Sequence, residues 1–296
     1  VKPLRQWRNR AQYFEAGGHR IAYWTSRKPA EETPWLLLIH GYPTSSWDWS
    51  AVWPALDVRF NLVAFDMLGF GLSDKPKNIA YAIGHQADLG EALLARLGVA
   101  EAHLFAHDYG NTVAQELLAR DNEGGLSFAV KSVCFLNGGL FPEHHRARPI
   151  QKLGLSAFGF VLGLFASRDM LSKGFDQLFG PATKASGQEI DAHWALIREQ
   201  NGEKILHKLL HYIPERKANR PRWVGALQNA RAPLRLIDGG ADPVSGKHLY
   251  DYYLETVPNA DAVLLEDIGH YPHTEAPERV AKAFLAFHKM IGTTKG

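Results

Sequence analysis

The chain has 296 residues, 46% of them hydrophobic, with 8 tryptophans, 15 phenylalanines and a formal net charge of only +2. That composition excludes a disordered chain, and the balanced charge argues against a nucleic-acid binder, which concentrates excess lysine and arginine. The length suits two domains of about 150 residues or one α/β domain carrying an insertion.

The first residues, rich in Lys and Arg, read as a solvated end. Gln12–Ala16 and Arg20–Ser26 predict two strands around the turn signal Gly17-Gly18. The continuous apolar runs Trp35–His40 and Asn61–Asp66 predict strands covered on both faces. A helix is expected over Gly84–Leu97, a strand over Ala102–Ala106, a helix over Asn111–Arg120 and a strand over Val130–Leu136. This last run holds the single cysteine, Cys134, which reads as an inert buried thiol and excludes an internal disulfide. With no disulfide and no secretory pattern at the start, the expected location is cytoplasmic.

From about Gly138 to Pro221 the chain reads as helices and loops. Within it, Leu153–Ala166 is apolar over 14 residues, fewer than the roughly 20 that span a bilayer. It is expected to pack in a lid or to line an apolar pocket, with peripheral membrane contact as the weaker alternative and no stable membrane insertion. Glu215–Arg222 (ERKANRPR) reads as a solvated hinge rather than a nucleic-acid contact. The alternation resumes with a strand at Pro233–Ile237, a helix at Lys247–Thr256, a strand at Ala262–Leu265 and a helix from Glu278 to Met290. Strands alternating with helices imply a mostly parallel, eight-stranded sheet flanked by helices. The expected division is a core of residues 1–137 and 222–296 and a helical cap of residues 138–221. The cap would lie over the strand ends, where open α/β sheets bind ligands.

Leu104-Phe105-Ala106-His107-Asp108-Tyr109-Gly110-Asn111 has the layout of a nucleophile elbow, with Asp108 at the reactive position and small residues two before and two after it. Taken alone, Asp108 also reads as an ordinary helix N-cap. A carboxylate nucleophile becomes an ester and must be freed by water, so a base, an orienting acid and an oxyanion hole are required. His270, Asp242 and the backbone N–H groups of Tyr42 and Tyr109 supply them, and the order Asp108, Asp242, His270 is nucleophile, acid, base. His270 is preferred over His273 because it directly follows Gly269. His107 reads as an anchor of the turn.

On these motifs the chain resembles the α/β-hydrolase branch containing epoxide hydrolases and haloalkane dehalogenases, from about Gln12 to Ile291. The turn Asp66-Met67-Leu68-Gly69-Phe70-Gly71-Leu72-Ser73-Asp74 is similar to that branch's glycine turn. Asn137-Gly138-Gly139-Leu140-Phe141-Pro142 and Arg222-Trp223-Val224-Gly225-Ala226-Leu227 are closer to the mesoderm-specific transcript group within it. The resemblance implies an α/β-hydrolase fold and one of two reactions. His40-Gly41-Tyr42-Pro43 looks like epoxide hydrolases, in which a cap tyrosine assists the departing oxygen; Tyr212 is the candidate here. The first cap tyrosine of that family has no counterpart between Phe141 and Phe165, and Tyr109 stands where both families often have Trp.

The expected activity is therefore hydrolysis of a hydrophobic epoxide to a vicinal diol. Haloalkane dehalogenation is the alternative, and a non-catalytic ligand sensor is a third reading. His40, Pro43, Trp194, Phe141 and His144 are expected around the substrate, with Trp194 read either as core packing or as a pocket wall. No Cys/His spacing suggests zinc, and Gly69–Gly71 lacks the Lys-Ser/Thr of a phosphate loop. No metal, organic cofactor or nucleic-acid partner is expected, and the protein is expected to be a monomer or homodimer.

Overall fold

Strand β3 (Trp35–Ile39) illustrates how the sequence builds the sheet. Successive side chains alternate between faces. Leu36 and Leu38 enter one apolar cluster and Leu37 and Ile39 enter another, all four fully buried. The computed structural model describes residues 3–29, 32–156 and 158–293. The remaining strands are β1 (Gln12–Ala16), β2 (His19–Thr25), β4 (Asn61–Phe65), β5 (Glu101–Ala106), β6 (Ala129–Phe135), β7 (Leu234–Gly239) and β8 (Ala262–Leu265). They form one eight-stranded sheet in the order β1-β2-β4-β3-β5-β6-β7-β8. The β1–β2 and β2–β4 pairs are antiparallel and the rest parallel. The chain is thus an α/β hydrolase fold.

One cluster is closed by the helices Ile83–Arg96, Tyr109–Glu123, Arg220–Gln228 and Lys247–Thr256, through residues such as Leu93, Val113, Val224 and Leu249. The other is closed by Leu4–Arg8, Trp53–Leu56 and Pro277–Thr293, through Trp7, Trp53 and Phe284. β3 pairs with β4 on one side and β5 on the other, so strand order reverses there. Ile39 lies opposite Ala106, which brings the loops after both strands together at the switch point.

Between β6 and β7 the described chain is helical. Caps explain where helices begin. Ser186 Oγ accepts the Glu189 N–H (3.2 Å) while Glu189 Oε2 accepts the Ser186 N–H (2.8 Å), a reciprocal box that starts Gly187–Ile197. Ser167 likewise caps Arg168–Leu178.

Three sequence expectations are corrected. The start of the chain is only partly solvated: Arg5 and Gln6 are exposed, but Trp7 is buried, stacks on Trp24 (5.0 Å) and accepts its indole N–H through the backbone oxygen. Glu215–Arg222 is not a solvated hinge. It lies in the helices Tyr212–Ala218 and Arg220–Gln228, Arg216 is only 1% exposed, and Glu215 accepts the Ile83 N–H. In the apolar run, Phe158, Phe160 and Phe165 are 67%, 55% and 70% exposed, so they neither pack nor line a pocket, whereas Leu155 packs on the core and, among the described side chains of the run, Ala166 alone reaches the active-site cavity. Ala157 lies outside the described residues.

Candidate active site

β5 ends at Ala106, and two residues later Asp108 adopts φ +47° and ψ −107° before the helix Tyr109–Glu123 begins. A non-glycine residue there stores strain on the order of 1–3 kcal/mol, which the surroundings must hold. They do so by close approach. A Cβ on Gly110 would fall 2.4 Å from the Ile39 oxygen, and one on Gly138 would fall 2.5 Å from the Asp108 Cα. The Asp108 N–H donates to the Asn137 oxygen at 2.8 Å. His107, one residue earlier, places Nε2 2.8 Å from the His270 backbone oxygen. Burial holds its pKa well down, so the neutral ring donates there and anchors the turn, as its position suggested.

The three expected residues meet. Asp108 Oδ2 accepts the Tyr42 N–H at 3.0 Å, and Asp108 Oδ1 lies 3.9 Å from His270 Nε2. His270 Nδ1 lies 2.7 Å from Asp242 Oδ2. Asp242 is further held by the Val244 N–H at Oδ1 and by Ser245 and Asn137 at Oδ2. Burial alone would raise the Asp242 pKa, but the charge and hydrogen bond of His270, with the Val244 and Ser245 donors, push it down to about 2. Burial likewise opposes a charge on His270, yet Asp242 and then Asp108 raise it to about 9. These shifts favour an imidazolium on His270 paired with the Asp242 carboxylate. Discharging Asp108 removes one of the charges, with those of Asp242 and Glu275, that keep the proton on His270. Tyr109 is the first residue of its helix, where N–H groups lack intrahelical partners.

A cavity of about 150 Å³ reaches this group. Tyr42, Pro43, Asp108, Trp194 and His270 line it together with apolar side chains such as Phe175 and Leu178. Pro43 and Trp194 both line this cavity, which for Trp194 is the pocket-wall alternative rather than core packing. His40, Phe141, His144 and Tyr212 are not on the cavity wall. His40 is fully buried, accepting the Met67 N–H at Nε2 (3.1 Å) and contacting the Gly41 oxygen through Nδ1, so it ties together the loops after β3 and β4. His144 stacks on Tyr252 (3.8 Å between ring centres) and Phe141 packs edge-on against the same ring, which turns both away from the substrate space. Tyr212 is fully buried between Tyr42 and Tyr109, its hydroxyl without a hydrogen-bond partner among the described residues. Burial, then the Asp108 charge, raise its pKa, while Arg216 opposes them.

Three further residues build the site. Asn137 bridges the turn and the acid loop, donating to Asp242 (3.1 Å) and to the Gly239 oxygen (3.0 Å). Glu275 accepts the Gly269 and Tyr271 N–H groups on either side of His270, and also the Gly180 N–H from the helical segment. Arg216 is buried against the Tyr212 ring (4.8 Å), donates to Thr112 Oγ1 and contacts His145. A Cβ on Gly139 would overlap its guanidinium, which gives the second glycine of Asn137-Gly138-Gly139 its reason. That motif and Glu275-Ala276-Pro277 were visible in the sequence; for Arg216 there was no signal beyond a charged run. Asp48, His107 and His273 also bring donor atoms within 4.8 Å of one another. Burial pushes the Asp48 carboxyl up and both imidazoles down, so all three favour their neutral forms, as packed core groups do.

Residues 36–283 match the model of the "Alpha/beta hydrolase family". The chain is 40% identical over 295 residues to the human "Mesoderm-specific transcript homolog protein", covering 96% of this chain and 87% of that one. It is 38% identical over 283 residues to "Putative hydrolase LipZ" of Mycobacterium tuberculosis, covering 96% and 97%. Among solved structures, haloalkane dehalogenase DbeA from Bradyrhizobium elkani superposes with a TM-score of 0.81 at 22% identity, covering 96% of this chain and 99% of that one, a likeness of fold. The chain belongs to the alpha/beta hydrolase family.

Proposed function

We propose that the protein is an epoxide hydrolase that forms a covalent ester on Asp108. The observation that carries this reading is a carboxylate on a strained turn, with one oxygen held by a backbone N–H and the other 3.9 Å from an imidazole. Asp108 Oδ1 attacks an epoxide carbon, the C–O bond of the ring breaks, and the departing oxygen takes a proton from Tyr212, whose ring packs against the cavity-lining Tyr42 and whose buried hydroxyl reaches the cavity only when Tyr42 moves aside. Asp108 is now a neutral ester, so the pKa of His270 falls, the imidazolium releases its proton to solvent and the ring becomes the base. Neutral His270, oriented by Asp242, removes a proton from water, and the hydroxide adds to the ester carbon. The developing oxyanion at Oδ2 is stabilised by the Tyr42 N–H, joined by that of Tyr109. Collapse releases the diol, whose alkoxide takes the proton from His270. The regenerated carboxylic acid ionises, its proton restores the Tyr212 hydroxyl, and with the Asp108 charge back His270 takes up a proton from solvent. The apolar cavity wall supports hydrophobic epoxides as substrates.

Trp194 on the cavity wall favours a second reading, haloalkane dehalogenation, because halide release needs N–H donors in the pocket. One experiment separates the two. A single turnover with styrene oxide in heavy-oxygen water should yield diol and place the label in the Asp108 carboxylate. Label in the diol alone would contradict the covalent step, and turnover of short bromoalkanes without diol from styrene oxide would give the second reading. Tyr212→Phe should slow ester formation while leaving ester hydrolysis unchanged.

A further inference from the structure

The outer face of the helical segment is apolar where a protein surface is ordinarily polar. Ten large hydrophobic side chains are exposed among the described residues, and six of them, Ile150, Leu153, Phe158, Phe160, Phe165 and Met170, fall within one stretch of 21 residues. Scattered exposed hydrophobics need no explanation, but a contiguous group marks an interaction surface. The short helix Phe160–Phe165 is turned outward by its seat, since Gly163 packs against the backbone of Glu203 and Lys204 with no room for a Cβ.

Two further observations identify the occupant. From His144 to Arg168 the chain carries Arg146, Arg148, Lys152 and Arg168 and no Asp or Glu. Arg168 pairs with Asp191, and Arg148 reaches Gln177, but Lys152 and, across the seat, Lys204 are exposed and in no ion pair among the described residues. A predominantly basic rim around phenylalanine and leucine, with Asp169 as the acid among the face's own residues, suits an interface of acyl chains and anionic headgroups. It disfavours a second copy of the chain, because a two-fold contact would bring like charges together. The face is also continuous with the candidate active site. Ile150, Ala166 and Met170 line the cavity that reaches Asp108 and His270.

We propose that this face docks on an anionic lipid surface, setting the cavity mouth against the acyl-chain region from which a hydrophobic substrate enters. The docking is interfacial, as no helix of the described residues is long and apolar enough to cross a membrane.

The test is co-flotation of the full chain with vesicles of phosphatidylcholine and phosphatidylglycerol in equal parts, against pure phosphatidylcholine. It needs no turnover, so it stands apart from the epoxide reading. The chain should float with the anionic vesicles, and raising sodium chloride to about 0.5 M, where charges are screened within roughly 4–5 Å, should weaken binding. The triple variant Phe158→Ser, Phe160→Ser, Phe165→Ser should lower partitioning about tenfold or more. Its thermal melt should match the parent's, because these side chains are exposed. Should it misfold, Lys152→Glu with Lys204→Glu gives the same reading through charge. No flotation with anionic vesicles, or equal flotation of the variants, overturns the proposal. So does a parent dimer by light scattering that the variants dissolve, which would make a second copy the occupant.

Discussion

Asp242→Asn removes the charge that sets the state of His270. The carboxylate lies 2.7 Å from His270 Nδ1 and takes three more donors at Oδ2, from the Ser245 hydroxyl and N–H and from the Asn137 amide. An amide of the same shape cannot accept at both ends, so a donor must meet a donor, or the imidazole must reverse its tautomer and present N–H toward Asp108. The size of the effect can be read inside the molecule. His270 sits at about 9, whereas His273, equally buried and without a hydrogen-bond partner among the described residues, sits at about 3. Asp108 and Glu275 also raise His270, so Asp242, the largest of these charges, accounts for part of that gap; losing it withdraws support on the order of kcal/mol from the charged ring and leaves the neutral one misoriented. Ester formation needs no base and should continue, while ester hydrolysis should slow by about 10²–10⁴-fold, the usual worth of a positioned base. Intact-protein mass spectrometry after mixing with styrene oxide should therefore show an adduct on Asp108 that persists in the variant and decays in the parent. A folded variant that hydrolyses its adduct at the parent rate would refute the reasoning, as would a folded variant that never forms one.

Gly110→Ala sets a methyl group 2.4 Å from the Ile39 oxygen, so it should destabilise by about 1–3 kcal/mol in urea unfolding and displace Asp108 enough to abolish adduct formation. Arg216→Met removes a buried cation that helps Tyr212 toward its acid role; ester formation should slow about tenfold with ester hydrolysis unchanged, and the orphaned Thr112 hydroxyl should cost about 1–3 kcal/mol of stability. Stability should also follow pH through the same pair. The raised pKa of His270 contributes fully below 6.5 and is lost as pH climbs through about 9. The lowered pKa of Asp242 contributes fully above 3.8 and is lost as pH falls toward 2. Urea midpoints across pH should show both losses, and in Asp242→Asn the alkaline one should disappear.

Much of this molecule was legible in its sequence because the signals are local and periodic. Apolar runs such as Trp35–Ile39 read directly as strands buried on both faces, and the small residues around Asp108 betrayed a turn that larger side chains would block. The order Asp108, Asp242, His270 pointed to three side chains that meet at the strand ends. Where loops and helices outside the sheet direct a side chain, periodicity is silent. His40 and His144 were expected at the substrate, but packing against Met67 and Tyr252 turns them elsewhere, and the sequence carries no measure of that. Arg216 meets Thr112 across 104 residues and Glu275 meets Gly180 across 95, contacts that exist only after the helical segment has folded back over the sheet. The same folding decided which apolar residues of Leu153–Ala166 would be covered. Hydrophobicity along a chain says what gains from leaving water, but which surfaces have a neighbour to receive them is settled by the arrangement of the elements in space.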